Sequence, residues 1–207
     1  SNYFKVQAFR EGKTKLAEFK KGVLTVDAKE TKTDERNGTL VEFEPDNTMF
    51  KHYHFIPEYL DDLMWNYAFL NAGLTINYNG RKFYSKDGLL DLLKQKSDAE
   101  DIRYPIIHVK GDDIEVALTH GSQYGEEYYS FVNGQNTTQG GTHLAAFREG
   151  VVRGVRDFYK KDFDAADIRA SIVAAVAIRV QEPVFESQTK TKLGSMNMAP
   201  DGATVKN

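Results

Sequence analysis

The chain has 207 residues, 41% of them hydrophobic and 28% charged, with a formal charge of −3 and no cysteine. That composition fits a globular chain of one large domain or two small ones. It excludes disulfides, thiolate metal sites and cysteine chemistry, and the slight acidity carries no overall signature of a nucleic-acid binder.

Tyr3 to Phe9 alternates as a strand, Glu11-Gly12-Lys13 turns, and Lys15 to Lys20 returns as a hairpin. Val23 to Val26 is a third short strand, residues 29–37 a charged loop, and Thr39 to Phe43 another strand ended by Pro45-Asp46-Asn47. Residues 56–71 carry helical periodicity, with Ile56, Leu60, Leu63, Met64, Tyr67 and Leu70 on one side. Leu74 to Tyr78 and Lys82 to Tyr84 flank Asn79-Gly80, a hairpin signal, and Asp87 is placed to cap a short helix over 88–96. The polar segment 97–104 is the expected boundary between a first domain, 1–97, and a second, 98–207. Ile106 to Lys110, Asp113 to Thr119 and Glu126 to Asn133 read as three successive antiparallel strands, followed by a polar loop to Thr142. Thr142 is placed to cap a helix reaching about Lys161, Asp164 to Asp167 starts a turn, and 168–180 is apolar enough for a buried strand. The expected class is α+β, mainly antiparallel sheet with helices on one side. No apolar run approaches the roughly 18 residues of a membrane span, and the first residues lack a signal-peptide core. A start at Ser1 inside a strand pattern and a polar ending are expected of an excised piece of a longer chain.

The loop Phe185 to Gly194, FESQTKTKLG, offers an amide at Gln188, a hydroxyl at Thr189 and ammonium groups at Lys190 and Lys192. A lysine is a point charge suited to a terminal phosphate, although a solvated loop has the same composition. Gly140-Gly141-Thr142-His143 opens the long helix. Two glycines permit a tight backbone and a helix N-terminus favours anions, while a plainly capped helix start is the simpler reading. His143 reads as structural, with no Ser, Cys or carboxylate partner identifiable around it. On that helix Val151, Val155 and Phe158 share one face, and Arg153, Arg156 and Lys160 the opposite one. The basic face is either solvated or turned to phosphate backbone, and Arg148 adds charge off that line. The P-loop and dinucleotide-binding glycine patterns do not occur, and the histidines have no metal spacing.

Six segments occur together in order: FREGK at 9–13, NGTLVEFEPD at 37–46, FLNAGLTI at 69–76, FVNGQNTTQGGTHLAAFREG at 131–150, DIRASIVAAVAIRV at 167–180 and PVFESQTKTKLGS at 183–195. They resemble the B subunit, the ATPase subunit, of the bacterial type IIA DNA topoisomerases, DNA gyrase and topoisomerase IV. The resemblance covers essentially the whole chain, and GGTH with FESQTKTKLG is its most specific part. It implies that 1–97 is the C-terminal half of a GHKL-type ATPase domain and 98–207 a transducer domain with a ribosomal-protein-S5-like fold. The implied protein couples ATP hydrolysis, with ATP and Mg2+, to DNA strand passage. Its implied partners are DNA and a topoisomerase A subunit, in an A2B2 assembly dimerised through its B subunits. Its implied location is the bacterial cytoplasm, with the nucleoid and not at a membrane.

Carried over by position, Lys190 resembles the catalytic lysine that reaches the γ-phosphate from the transducer, and Gln188 its companion. Thr39 resembles the threonine at the base of the adenine pocket, which is also the aminocoumarin site, and Arg10 the arginine at that pocket's rim. Arg148 resembles an arginine facing the hole that accommodates DNA, and Arg153 and Arg156 are assigned to the same DNA-facing surface. No metal ligand is carried over. The DIRASIVAAV wording leans to topoisomerase IV, while Arg169-Ala170-Ser171 departs from the family's Arg-Glu-Gly. The family's general-base glutamate, magnesium-binding asparagine and ATP lid are expected upstream of Ser1, so the piece alone is expected to be inactive. The alternative is a stand-alone S5-like nucleic-acid-binding or scaffold module without ATPase coupling.

Overall fold

In the computed structural model, which describes residues 1–205, strands β1 (Tyr3–Arg10) and β2 (Lys13–Lys20) pair antiparallel across Glu11-Gly12. Both turn residues take positive φ, 53° and 75°, the geometry whose twist matches the flanking strands. Lys21-Gly22 repeats it into β3 (Val23–Asp27). β4 (Thr31–Lys32) also pairs with β2, and β5 (Gly38–Glu44) lies antiparallel on the other side of β1. The path is β3-β2-β1-β5, and it forms a unit by itself, Ser1–Pro57. β3 and β5 are exposed along their length, so this unit is a sheet whose apolar side chains, Val41 and Phe43 among them, are not buried.

The second unit, Glu58–Asn207, holds the core. Helix α1 (Pro57–Leu70) buries Ala68 and Phe69, with Trp65 stacked on Phe69 at 5.3 Å and edge-on to Phe83. The expected apolar side is only partly inward: Leu60, Met64 and Leu70 are half-buried, and Leu70 packs on the core, whereas Leu63 and Tyr67 are each 41% exposed. Apolar residues nearly encircle this helix, and the aromatic pair four residues apart removes the most apolar area from water. The hairpin of β6 (Thr75–Tyr78) and β7 (Arg81–Tyr84) closes over Asn79-Gly80 as expected. Helix α2 (Leu89–Lys96) buries Leu89, Leu92 and Leu93. Asp87 does not cap it. The carboxylate of Asp91 accepts from Ser85 Oγ and the Lys86 and Asp87 backbones, and Glu115 accepts from the Leu89 backbone at 2.9 Å.

The main sheet contains β8 (Ile107–Lys110), β9 (Ile114–His120), β10 (Glu127–Val132), β11 (Gln135–Asn136) and β12 (Ile172–Ile178), in the order β11-β10-β12-β9-β8. The expected run of three successive antiparallel strands is therefore broken. β12 enters between β9 and β10, antiparallel to the first and parallel to the second. Its sequence, IVAAVAI, has no polar residue to leave in water, and a strand of that kind takes the centre of a sheet covered on both faces. The covering comes from both sides, not one. Val173 and Ala175 pack with the leucines of α2 and with Phe69, whereas Val176 and Ile178 pack with Leu144 and Phe147. This is the period-two alternation of a strand. Leu144 and Phe147 belong to α3 (Thr142–Tyr159), which with the short α4 (Ala165–Arg169) forms the crossover to β12. The compact units divide at 57/58 and not at the polar segment 97–104, because the leucines of α2 are core residues of the second sheet.

Candidate functional site

Residues 184–195 form a short hairpin. Phe185 and Leu193 face each other as antiparallel partners, Glu186 N donates to Lys192 O at 3.0 Å, and Gly194 N to Val184 O at 2.8 Å. The tip is tied by Lys190 N to Ser187 O at 3.0 Å and by Ser187 Oγ with Thr189 Oγ1 at 2.7 Å. Lys190 takes positive φ, 56°, a turn conformation uncommon outside glycine and asparagine. The two lysines of the loop differ in state. Lys192 is paired with Glu186 at 3.0 Å, whereas the Lys190 ammonium has no ion-pair partner among the described residues and is exposed with Gln188 at the tip. An uncommitted cation on a tied turn, beside an amide, suits a terminal phosphate oxygen.

The base of the hairpin is strapped to the start of α3. Leu193 N donates to Gly140 O and Thr142 N to Leu193 O, each at 3.1 Å, Gln139 N donates to Thr191 O at 2.9 Å, and Thr142 Oγ1 donates to Ser195 O. The hydroxyl of Thr142 is thus spent on the hairpin and does not cap the helix. Gly141 has φ 133°, and a Cβ there would lie 2.5 Å from Leu193 N and 2.9 Å from Leu193 Cα. Gly141 therefore serves the close approach of the Leu193 backbone. Beneath it, Ser130 Oγ meets Thr137 Oγ1 at 2.7 Å, and Thr137 Oγ1 meets His143 Nε2 at 3.2 Å. His143 is 2% exposed, and burial pushes its pKa down to about 4. A neutral, enclosed imidazole of this kind is a structural group.

The arginines of α3 are in three different states. Arg148 forms a two-pronged pair with Glu126, Nε at 2.9 Å and Nη2 at 3.0 Å from its oxygens. Arg169 and the hydroxyl of Tyr128 meet the same carboxylate at 3.2 and 2.6 Å. Burial opposes its ionisation, but the bonds from Tyr128, Arg148 and Arg169 outweigh that and hold Glu126 below the usual carboxylate range. Arg156 is folded onto Phe163 O at 2.6 Å and Asp162 at 3.0 Å. Arg153 is exposed and has no hydrogen-bond or ion-pair partner among the described residues. The expected helix faces also shift: Val152 is buried, in a segment where α4 packs on α3, while Phe158 is 80% exposed. Glu126 and Arg169 escaped sequence reasoning because 22 and 43 residues separate the partners.

In the first unit, Thr39 faces Ala8 across β1–β5, and Arg10 lies two residues beyond Ala8 on the same strand. Side chains two apart share a sheet face, so Thr39 and Arg10 fall on one face as neighbours. Arg10 is 83% exposed at its side chain and pairs with Glu11 at 3.3 Å. A cavity of about 580 Å3 opens elsewhere, among Tyr67, Lys110, Glu115, Asn133 and Arg179, and none of the sequence-nominated residues lines it. No group of histidines, aspartates and glutamates able to hold a metal occurs among the described residues.

The DNA gyrase B family profile matches residues 82–205. The match begins ahead of α2 and so takes that helix together with the second sheet. The B subunit of DNA topoisomerase 4 from Borreliella burgdorferi is 44% identical over 196 residues, which is 95% of this chain and 33% of that protein. The B subunit of DNA gyrase from Cytophaga hutchinsonii is 30% identical over 96% of this chain and 47% of its own length. Among solved structures, the 43K ATPase domain of Thermus thermophilus gyrase B, in complex with an aminocoumarin, superposes with a TM-score of 0.78 at 26% identity, covering 100% of this chain and 61% of that one. The chain thus spans less than two thirds of each of these proteins. The fold is that of the ATPase region of type II DNA topoisomerases. The chain belongs to the DNA gyrase B family, the B subunits of the bacterial enzymes.

Proposed function

We propose that this chain is the part of a topoisomerase IV B subunit that senses ATP and couples its binding and hydrolysis to DNA strand passage. The single uncommitted cation at the tip of the 184–195 hairpin carries this reading. Lys190, with Gln188 beside it, contacts the γ-phosphate of bound ATP, and Thr39 and Arg10 belong to the adenine end of the nucleotide site. Mg2+ accompanies the nucleotide, and no residue of this chain is assigned to hold it. When water attacks the γ-phosphorus and ADP departs, the phosphate that Lys190 was neutralising is released, and the conformation it favoured loses its advantage. A charge-assisted contact of this type is worth about 1.5–3 kcal/mol, or roughly tenfold or more in a balanced equilibrium. This reading gives no residue here the role of general base, so the chain alone is expected not to hydrolyse ATP.

The partners in this reading are DNA and a topoisomerase A subunit, in an A2B2 assembly in the bacterial cytoplasm. Arg153 supplies the free DNA-facing charge, while Arg148 and Arg156 reach DNA only by giving up Glu126 and Asp162. Topoisomerase IV is favoured over gyrase by the 44% identity to a topoisomerase IV relative against 30% to a gyrase relative. The test is Lys190→Ala in the full-length B subunit assembled with its A subunit. ATP-dependent strand passage is expected to fall at least about tenfold, and undiminished strand passage overturns the assignment. Decatenation without supercoiling by the same assembly separates topoisomerase IV from gyrase. The alternative of a stand-alone nucleic-acid-binding module is weakened by the net charge of −3.

A further inference from the structure

The hairpin that presents Lys190 and the helix that presents Arg148 and Arg153 are joined at one place. Leu193 lies along Gly140-Gly141 as a parallel partner, with backbone bonds in both directions to Gly140 and Thr142. The Thr142 hydroxyl adds a bond to Ser195 O. No side chain stands between the two backbones, because a Cβ at Gly141 would occupy the space of Leu193. Thr142 is also the first residue of α3, and Arg148 follows within two turns on the same continuous helix. On its other side the junction is seated on the sheet. Gly140 N donates to Thr137 O, and the buried Ser130–Thr137–His143 bonds tie it to β10. Leu193, 1% exposed, packs in the same cluster as Val132, Val176 and Leu144.

The geometry points to Gly141 and Thr142 as positioning residues that make the Lys190 hairpin and α3 a single rigid body, so that a displacement of Lys190 is transmitted directly to the arginines of α3. Gly141 acts by admitting Leu193, and Thr142 by holding Leu193 and Ser195. A close-packed, hydrogen-bonded junction transmits displacement because it is hardly compressible and cannot shear without breaking its bonds. This inference rests on the assignment of Lys190 as the γ-phosphate contact and of α3 as the DNA-facing helix.

The experiment uses the full-length B subunit assembled with its A subunit. ATP hydrolysis is measured with and without linear duplex DNA for Thr142→Val, Thr142→Ser and Gly141→Ala, with melting temperatures alongside. Thr142→Val keeps the shape and removes the donor, and Thr142→Ser restores it. The ratio of DNA-stimulated to unstimulated hydrolysis is expected to fall about tenfold in Thr142→Val, the equivalent of one strong hydrogen bond, and to return in Thr142→Ser. Gly141→Ala, if it folds, is expected to lose the stimulation too. A full ratio in Thr142→Val overturns the inference, and so does a proportional fall in both rates, since that marks a site acting only on nucleotide binding. Lys190→Ala measured in parallel keeps the two claims apart: unchanged ATP dependence there removes the sensor assignment, while a defect there with a full ratio in Thr142→Val removes only the junction.

Discussion

His143 illustrates how a single side chain makes stability depend on pH. Its imidazole titrates near 6.5 in an unfolded chain, and burial pushes it down to about 4 in the fold. Above about 6.5 both states are neutral and nothing is lost. As pH falls toward 4 the unfolded chain takes up a proton that the folded one refuses, so stability drops by up to about 3 kcal/mol, and below that no further loss accrues from this group. Urea unfolding at pH 7 and pH 4.5 is expected to show this loss in the wild type and most of it removed in His143→Gln; an equal loss in both assigns it to other groups. The arginines of α3 separate at the same scale. Arg153→Ala is expected to lower the salt slope of DNA binding in the assembled enzyme by about one, because it removes one free phosphate contact. Arg156→Ala is expected to leave that slope unchanged and to destabilise the α3–α4 connection by about 1–2 kcal/mol, since its bonds go to Phe163 O and Asp162. Binding isotherms across a salt series distinguish them.

Among the elements, α2 decides most for its size. Its eight residues place Leu89, Leu92 and Leu93 against Phe131, Val173 and Ala175. Leu92→Ala is expected to cost about 2–5 kcal/mol, a loss read from the shift in the denaturation midpoint, while Lys94→Ala on the exposed side should be nearly neutral. The helix itself was legible in its leucine spacing, as were the hairpins in Glu11-Gly12 and Asn79-Gly80. Its capping was not. Asp87 lies one residue ahead of the N-cap, Gly88, and the first helical N–H, at Leu89, is accepted by Glu115, 26 residues away on β9. The place of β12 was also hidden. Its apolar run announced burial, but a run without alternation does not say which strands will flank it.

For the whole molecule, the division at 57/58 has a consequence that the expected boundary at 97 does not share. Residues 58–207 expressed alone carry both halves of the core around the second sheet, whereas 98–207 leaves the face covered by α1 and α2 open to water. The longer piece is expected to unfold in one cooperative thermal transition, and the shorter one to lack a sharp transition or to aggregate. A cooperative transition in 98–207 would show that the helices are dispensable for the sheet.

The α+β class, most of the longer strands and helices and the residue order of the GGTH and QTK segments were legible in the sequence, because turn chemistry, periodicity and local composition act over a few neighbouring residues; the short β4, β11 and α4, read as loop or turn, were not. The sequence also sufficed for the resemblance that nominated Lys190. Tertiary structure alone decided that Arg148 is held by Glu126 and that Gly141 serves to admit Leu193. These outcomes depend on groups tens of residues apart, whose encounter is set by which faces of the central strand are buried and by what remains to cover them.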